Sequence, residues 1–557
     1  MSAALDAREP SARYLEAVQP ALVRQFELLA TAPGGVARLR ELLLALAVRG
    51  TLVPQESSEG HANSLVAQLH ARNSESAGGA RVNSLNTATR NNGEFPCQLP
   101  AGWVWVRLTD LGQFCGGKTP SKQHAAYWSG SIPWITPKDM KQLRLTDSED
   151  HVSQAAVEDG LALVPPHSLL VVVRSGILRR TVPTAVNLVE TTINQDLKAL
   201  KLSMPEMAPY VQLLVRGFER FILETLTKSG TTVESIRFDD FASQPFPLPP
   251  LAEQARIVAR VDELMRLCDA LEAKGRLEAE QHARLLGALL GTLTDSTTPE
   301  ELATNWQRVA EHFDLLLDRP EAVDALEQTV LTLALRGLLV AHKGTGAKAG
   351  RQRPLSGLPP GWERTNVGST VSMLNGYAFK SEWFKTSGVR LVRNINVGHG
   401  RIDWTQPAHV TPAVADSLSQ FELHEGDIVL SLDRPIISTG LKLAVVRACD
   451  VPCLLLQRVA RLTPVPTVLP KSFLVMWLQS DLFVSAIDPG RSNGVPHIST
   501  KQVAALSIDI PPLTEQARIV ARVSELRRLC ADLRQRLAAS AATQSHLADA
   551  LVEQALA

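Results

Sequence analysis

The chain carries no net charge: 57 Lys and Arg stand against 57 Asp and Glu in 557 residues. No global basic field therefore advertises a polyanionic partner. The balance holds locally, with 15 basic and 15 acidic side chains in residues 95–248 and 14 and 12 in residues 355–510. No apolar run near the N-terminus approaches the ~20 residues needed to cross a bilayer. The longest, Leu42 to Val48, lies between Glu41 and Arg49. The first 30 residues carry acids and no signal-peptide layout, which argues against export and membrane attachment. The six cysteines are scattered without a CxxC pair, and Cys449 and Cys453 have no His nearby, so neither zinc nor another metal is expected. The chain reads as cytoplasmic and reduced. GxSxG, HExxH and a defensible Cys/His pairing are absent. So are the Asn/Asp-Pro-Pro-aromatic sequence of amino-methyltransferases and helicase-type ATPase motifs, one superficial match aside. A recognition scaffold is expected, not an enzyme.

What the chain does have is repetition. Pro249 to Cys268 reads PPLAEQARIVARVDELMRLC and Pro511 to Cys530 reads PPLTEQARIVARVSELRRLC, gap-free at an offset of 262 with three differences, Ala252/Thr514, Asp262/Ser524 and Met265/Arg527. Phe26 to Val53 aligns gap-free with Phe313 to Val340, including Arg49-Gly50 with Arg336-Gly337. The N-terminus thus supplies the piece that the second repeat lacks, and the repeat is circular, so the two chain ends should lie close together. Between these helical pieces lie two blocks that open alike, LPAGW at Leu99–Trp103 and LPPGW at Leu358–Trp362. Residues 104–248 and 363–510 otherwise show little similarity. One scaffold presenting two different surfaces follows: the frame should bind two copies of one partner, and the inserts should recognise two different things.

A length of 557 residues exceeds the ~250–300 at which a single core stops growing. The expected segments are an N-terminal helical piece at 1–54, a Ser-, Asn- and Gly-rich linker at 55–94, and a first insert domain at 95–248. Central helices at 249–342, a second linker at 343–354, a second insert domain at 355–510 and a C-terminal helix at 511–557 complete the chain. Within the inserts, Ser168–Val173 and Asp427–Leu432 read as buried strands, and Tyr210–Leu226 and Ser472–Ile487 as helices, so each insert is α+β. After each PPL the apolar residues form a heptad seam: Ile257, Val261, Leu264, Cys268 and Leu271 in one copy, and Ile519, Val523, Leu526, Cys530 and Leu533 in the other. Such seams demand helical partners, and a pair of antiparallel rods of roughly 60 Å is the natural arrangement. Glu253 and Glu515 fall in the first turn, where the helix dipole favours an acid.

Gly112–Thr119 fits G-x-x-x-x-G-K-[ST], the phosphate loop of NTPases. That chemistry needs a helix N-terminus after the loop, and Pro120 follows at once. A surface loop whose Lys118 contacts phosphate in another way is the better reading. Further polar clusters fall where loops should be. Arg174, Arg179 and Arg180 stand in a stretch without acids; Lys228, Ser229 and Thr231 belong to KSGTT. Arg434, Ser438 and Thr439 belong to DRPIISTG, Gln457 and Arg458 to LLQR, and Arg491, Asn493, His497 and Lys501 to GRSNGVPHISTK. Such side chains contact phosphates and base edges, and their matched placement in both blocks favours a role.

With its doubled PLPPLAEQxRIV and LPxGW motifs around dissimilar blocks, the chain resembles the specificity (S) subunit of type I restriction–modification systems over nearly its whole length. GKTPS, IPWITPKDM, RSGI, INQDLKAL and KSGTT in the first block are similar to stretches of target recognition domains, as are GDIVLS, DRPIISTG and SNGVPHIST in the second. These add Thr119, Ser121, Lys122 and Lys138 to the candidates. The resemblance implies an α+β fold with two globular α/β target recognition domains separated by two long antiparallel helices in a circular pseudo-two-fold repeat. It implies a non-catalytic subunit that reads a split, asymmetric target in double-stranded DNA, with half-site centres about one turn (~10 bp) apart. Two modification subunits would dock on the helices and methylate adenine N6, and a motor-nuclease would restrict. S-adenosylmethionine, ATP and Mg would be used by those partners, and no cofactor by this chain. A system that cuts on both sides of its site, an NTPase built on Gly112–Thr119, and a scaffold that does not bind DNA are the alternatives.

Overall fold

The computed structural model describes residues 26–76, 98–228, 233–340, 357–437, 440–487 and 497–556. The chain divides into two compact units, Met1–Arg276 with Ala541–Ala557, and Leu277–Ser540. The cuts fall inside the long helices Leu251–Asp295 and Leu513–Leu556, each of which begins in one unit and ends in the other. Packing therefore groups each stretch of long helix with the insert beside it.

In the first unit, Ile257, Val261, Leu264 and Cys268 share a core with Leu39, Leu42 and Leu46 of the helix Gly35–Arg49 and with Ala548, near the end of the second long helix. In the second unit, Ile519, Val523 and Cys530 share a core with Val323, Leu326 and Val330 of Pro320–Leu335 and with Leu286, Leu290 and Leu293, near the end of the first long helix. Leu271, Leu526 and Leu533 are partly buried. Each heptad seam is thus closed inside the chain by a short helix and by the opposite end of the other long helix. The circular repeat has the same consequence at the termini: Arg38 donates to Asp549 and Ser545.

One scaffold ion pair inverts between the repeats. Arg40 bridges Asp269 at 2.6 Å and Glu272 at 2.8 Å. In the second repeat Glu327 takes the place of Arg40, and it bridges Arg534, the counterpart of Glu272, at 2.6 Å. A short helix set against the wrong long helix would meet like charge.

The linker expected at 55–94 is partly a helix. Ala62–Ser76 is helical and buries Ala62, Leu65 and Leu69 in the first unit. The i, i+3, i+7 spacing of those residues lies beneath a polar composition, which is why composition alone misreads it. The linker at 343–354 lies outside the described residues.

Each insert is closed by pairing its own ends. Val104–Arg107 pairs antiparallel with Pro245–Leu248, and Glu363–Asn366 with Ser507–Ile510. The repeated motifs meet at these junctions. Trp103 Nε1 donates to Glu253 Oε2 at 3.0 Å, and Trp362 Nε1 to Glu515 Oε1 at 3.1 Å. Gln254 and Gln516 donate to the carbonyls of Pro249 and Pro511 at 2.9 and 2.7 Å, turning the chain from strand into helix. Glu253 is 2% exposed, and burial pushes its carboxyl up, against hydrogen bonds from Trp103 and Gln55 that hold it down. These acids are thus fixed by the indoles as well as suited to the helix dipole. Gly50 (φ 72°) ends the first short helix in the left-handed region, and a Cβ there would lie 2.8 Å from the Trp103 ring.

Between the junctions the inserts repeat one topology with different side chains. A five-stranded sheet runs in the order Gly112–Gly116, Leu197–Leu202, Leu169–Val172, Thr184–Asn187, Arg144–Leu145. Its counterpart runs Val371–Asn375, Val459–Pro464, Ile428–Ser431, Leu443–Val445, His399–Gly400. A smaller sheet also recurs: Asp150–Val152, Ile132–Ile135 and Thr192–Ile193 match Ala408–Val410, Val389–Val392 and Cys453–Leu455, with Glu422–Leu423 added as a fourth strand. The expected strands are Leu169–Val172 and Ile428–Ser431. The expected helices are each broken, into Ala208–Gly217 and Glu219–Thr225 and into Lys471–Leu478 and Asp481–Ala486.

Candidate nucleic-acid interface

Antiparallel pairing places the end of Gly112–Gly116, the end of Leu169–Val172 and the start of Leu197–Leu202 at one edge of the first sheet. The loops leaving that edge are tied together by backbone hydrogen bonds. Lys118 N donates to Ile193 O (3.1 Å), Asn194 N to Ile135 O (3.0 Å), Val173 N to Asp196 O (2.9 Å) and Ile236 N to Val173 O (2.9 Å). The second insert repeats each bond at the matching position. Tyr377 N donates to Leu455 O (3.1 Å), Leu456 N to Val392 O (3.1 Å), Leu432 N to Arg458 O (2.8 Å) and Ile498 N to Leu432 O (2.9 Å). Segments far apart in sequence, GKTP, TPKD, RSG, NQD and ESI, therefore form one surface in the first unit. Their counterparts around Tyr377, Arg393, Asp433, Arg458 and His497 form another in the second.

This geometry removes the nucleotide-loop reading. Gly112–Gly116 is a strand, no helix starts after Lys118 and Thr119, and the next helical turn is the four-residue Ala125–Trp128. The Lys118 amide already serves Ile193 O, and Thr119 Oγ1 donates to Gln195 Oε1 at 2.5 Å. Gly117 is required for a different reason: a Cβ there would lie 2.1 Å from Ile193 O. Gly376 in the second insert meets the same limit, 2.2 Å from Leu456 O. The two loops, GGKT and NGYA, are the same element under different side chains.

The candidate cations sort into two kinds. Lys118, Lys122, Lys138, Arg180, Lys228, Arg434 and Lys501 are exposed and in no ion pair among the described residues. Lys138 rides on a turn in which Asp139 accepts from Thr136 N at 2.8 Å, and Lys501 stands on the helix Thr500–Ala505. Ser121 is exposed on the loop carrying Lys122, and its carbonyl accepts from Trp128 Nε1 at 3.2 Å. Other cations are held by acids that the sequence reading did not single out. Arg179 pairs with Glu234 at 2.5 Å, holding that carboxyl below its usual range. Arg174 Nε pairs with Asp196 Oδ1 at 2.7 Å, and Arg458 Nη1 with Asp433 Oδ2 at 3.1 Å. Asp433 also accepts from Asn394 Nδ2 at 2.9 Å and lies 3.0 Å from His497 Nδ1. Lys442, buried behind it, has its ammonium pushed down by desolvation. Gln457 is exposed beside Arg458. Ser229, Thr231, Ser438, Thr439, Arg491 and Asn493 lie outside the described residues. Extending the 262-residue offset from the helix back to INQDLKAL and LLQRVARL would have paired Asp196 with Arg458 in the sequence.

Arg434 (φ 45°) and Arg458 (φ 68°) hold left-handed backbone, which is costly for residues with a side chain and concentrates at functional loops. No cluster of three or more His, Cys, Asp or Glu that could hold a metal occurs among the described residues, and no described helix is long and apolar enough to cross a membrane.

A model of the type I restriction modification DNA specificity domain matches the chain twice, at residues 100–281 and 359–541. The chain belongs to that family. Each match begins in an LPxGW motif and ends on a long helix, so the family domain is an insert together with its junction and part of its rod. The specificity subunit of the type I restriction enzyme EcoAI of Escherichia coli is 36% identical over 565 residues, covering 94% of each chain. That of EcoEI, also of Escherichia coli, is 25% identical with 94% of each chain covered. A chain from a solved structure concerned with assembly and conformational transition of the type I R-M system aligns at 20% identity with a TM-score of 0.48, over 83% of this chain and 99% of that one.

Proposed function

We propose that this chain selects the DNA sequence on which a type I restriction–modification complex acts, each family domain reading one half of a bipartite, asymmetric target. The observation that carries this is the doubled family match over two inserts with one backbone frame and different side chains. One frame offers the same approach to DNA twice, and different side chains select different bases. The exposed lysines and arginines neutralise phosphates and hold register, making binding salt-dependent. The near-zero net charge leaves much of that neutralisation to the partners.

Those partners are two modification subunits, which dock on the repeated helices and methylate adenine N6 with S-adenosylmethionine, and a motor-nuclease that uses ATP and Mg. The target adenine is rotated out of the stack into the modification subunit's own pocket. This chain binds none of these cofactors, and the complex works in the cytoplasm. The test is methylation-sensitive long-read sequencing of host DNA with and without the gene, with the modification subunit expressed. A split motif whose N6-methyladenine disappears on deletion is expected; a methylation pattern indifferent to the gene refutes the reading.

A further inference from the structure

The two reading surfaces agree in backbone and disagree most sharply at one ion pair. Arg174 and Asp433 occupy the same place, two residues beyond the central strands Leu169–Val172 and Ile428–Ser431. Asp196 and Arg458 occupy the other, just before Leu197–Leu202 and Val459–Pro464. Isolated bridges confirm the match: Arg174 pairs with Ser235, and Asp433 with His497, 262 residues further on. The salt bridge is present in both inserts with its charges exchanged.

Whichever strand carries it, the acid is the inner member. The Arg174 and Arg458 side chains are 52% and 61% exposed, and those of Asp196 and Asp433 only 22% and 9%. The acids are further anchored, Asp196 by Asn194 Nδ2 at 3.2 Å and Asp433 by Asn394. Each guanidinium gives one nitrogen to its acid, Nε of Arg174 and Nη1 of Arg458, and the rest of its fork makes no hydrogen bond to a described residue. We propose that Arg174 and Arg458 each read a guanine, one in each half-site, with Asp196 and Asp433 as positioning residues that fix the plane of the guanidinium. This rests on the reading of the chain as a DNA specificity subunit. A planar fork held in one orientation matches the O6 and N7 acceptors of guanine in the major groove, which a lysine does not. The unpaired lysines have no such orientation and suit phosphates. Because the arginine springs from opposite members of a strand pair, about 4.8 Å apart, the guanine need not occupy the same step in the two half-sites.

The test uses the full chain with its modification subunit in cells, reading the methylated motif by long-read sequencing for the wild type, Arg174→Lys, Arg458→Lys and Asp433→Asn. The lysine variants keep the charge, and both positions are exposed enough to spare the fold. Each should relax a single guanine position in one half-site, with discrimination there falling about 5- to 150-fold and the other half unchanged. Asp433→Asn should relax the same position as Arg458→Lys, to a smaller extent. An unaltered motif in the lysine variants overturns the proposal. So does uniform weakening with every letter intact, which is the signature of a phosphate contact. A wild-type chain that directs no split motif sinks the specificity reading itself, before any variant is compared.

Discussion

The two halves of this molecule are alike in opposite ways in their helices and in their inserts. The helix starts share 17 of 20 residues and the same buried indole–carboxylate junction. The inserts share almost no side chains, yet repeat a sheet order and four hydrogen bonds at the candidate edge. In the helices, side chains make the structure, because seams and junctions are buried contacts between particular groups. At the candidate edge, backbone makes the structure, which leaves the side chains there available to differ. A protein that recognises two things with one frame is expected to divide its sequence in this way.

The largest effect should come from the junctions, where the halves are most alike. Trp103→Ala and Trp362→Ala each remove a buried indole and one hydrogen bond to a buried carboxylate, and each should destabilise its own unit by about 3–5 kcal/mol. Denaturant unfolding combined with hydrogen exchange in each unit checks this; loss in one half only would mean that the junctions are not equivalent. Next come the close-approach glycines. Gly117→Ala and Gly376→Ala force a methyl into a carbonyl and should cost about 1–3 kcal/mol. Each should depress methylation through one half-site, measured on targets that vary that half alone.

A third prediction separates the junctions. Burial raises the folded-state pKa of Glu253 above its ordinary 4.5, so the folded state binds this proton more tightly than the unfolded one. Its contribution to stability is therefore full below 4.5 and is lost as pH rises through the raised value. Glu253→Gln should flatten that part of the pH dependence of the first unit, as measured by denaturant titrations between about pH 4 and 7; an unchanged slope contradicts it. The smallest effect belongs to the inverted scaffold pair. Arg40→Glu places like charge against Glu272 and should cost about 1 kcal/mol or less, and Arg40→Glu with Glu272→Arg should recover part of it. A loss in the double variant larger than in the single one would contradict an ion-pair origin.

The architecture was legible in the sequence because repetition and heptad spacing are local signals. The 262-residue offset and the seam from Ile257 to Cys268 follow from them, and the strand at Leu169–Val172 from a short apolar run. The helix Ala62–Ser76 was hidden because Ser and Asn make up five of its 15 residues and its buried positions among the described side chains are Ala62, Leu65 and Leu69. The identity of the two insert topologies was not legible, since it resides in backbone pairing that tolerates Lys118 in one copy and Tyr377 in the other. Of the candidate site, the loops were legible and the pairings were not. Arg458 stands out as a lone cation in sequence, and Asp433 becomes its partner only through the antiparallel pairing of Ile428–Ser431 with Val459–Pro464. Thr119 fitted a motif whose chemistry depends on a helix that Pro120 argued against in the sequence and that the strand Gly112–Gly116 and the loop after it do not supply.

The most direct test of one frame carrying two readers is to give both places the same insert. A chain in which residues 104–248 replace residues 363–510, leaving both Trp–Glu junctions intact, should be expressed with the modification subunit and its methylated motif sequenced. Both halves of the motif should become copies of the half selected by the first insert. A motif that keeps the original second half would place the reading of that half outside the insert and contradict that expectation.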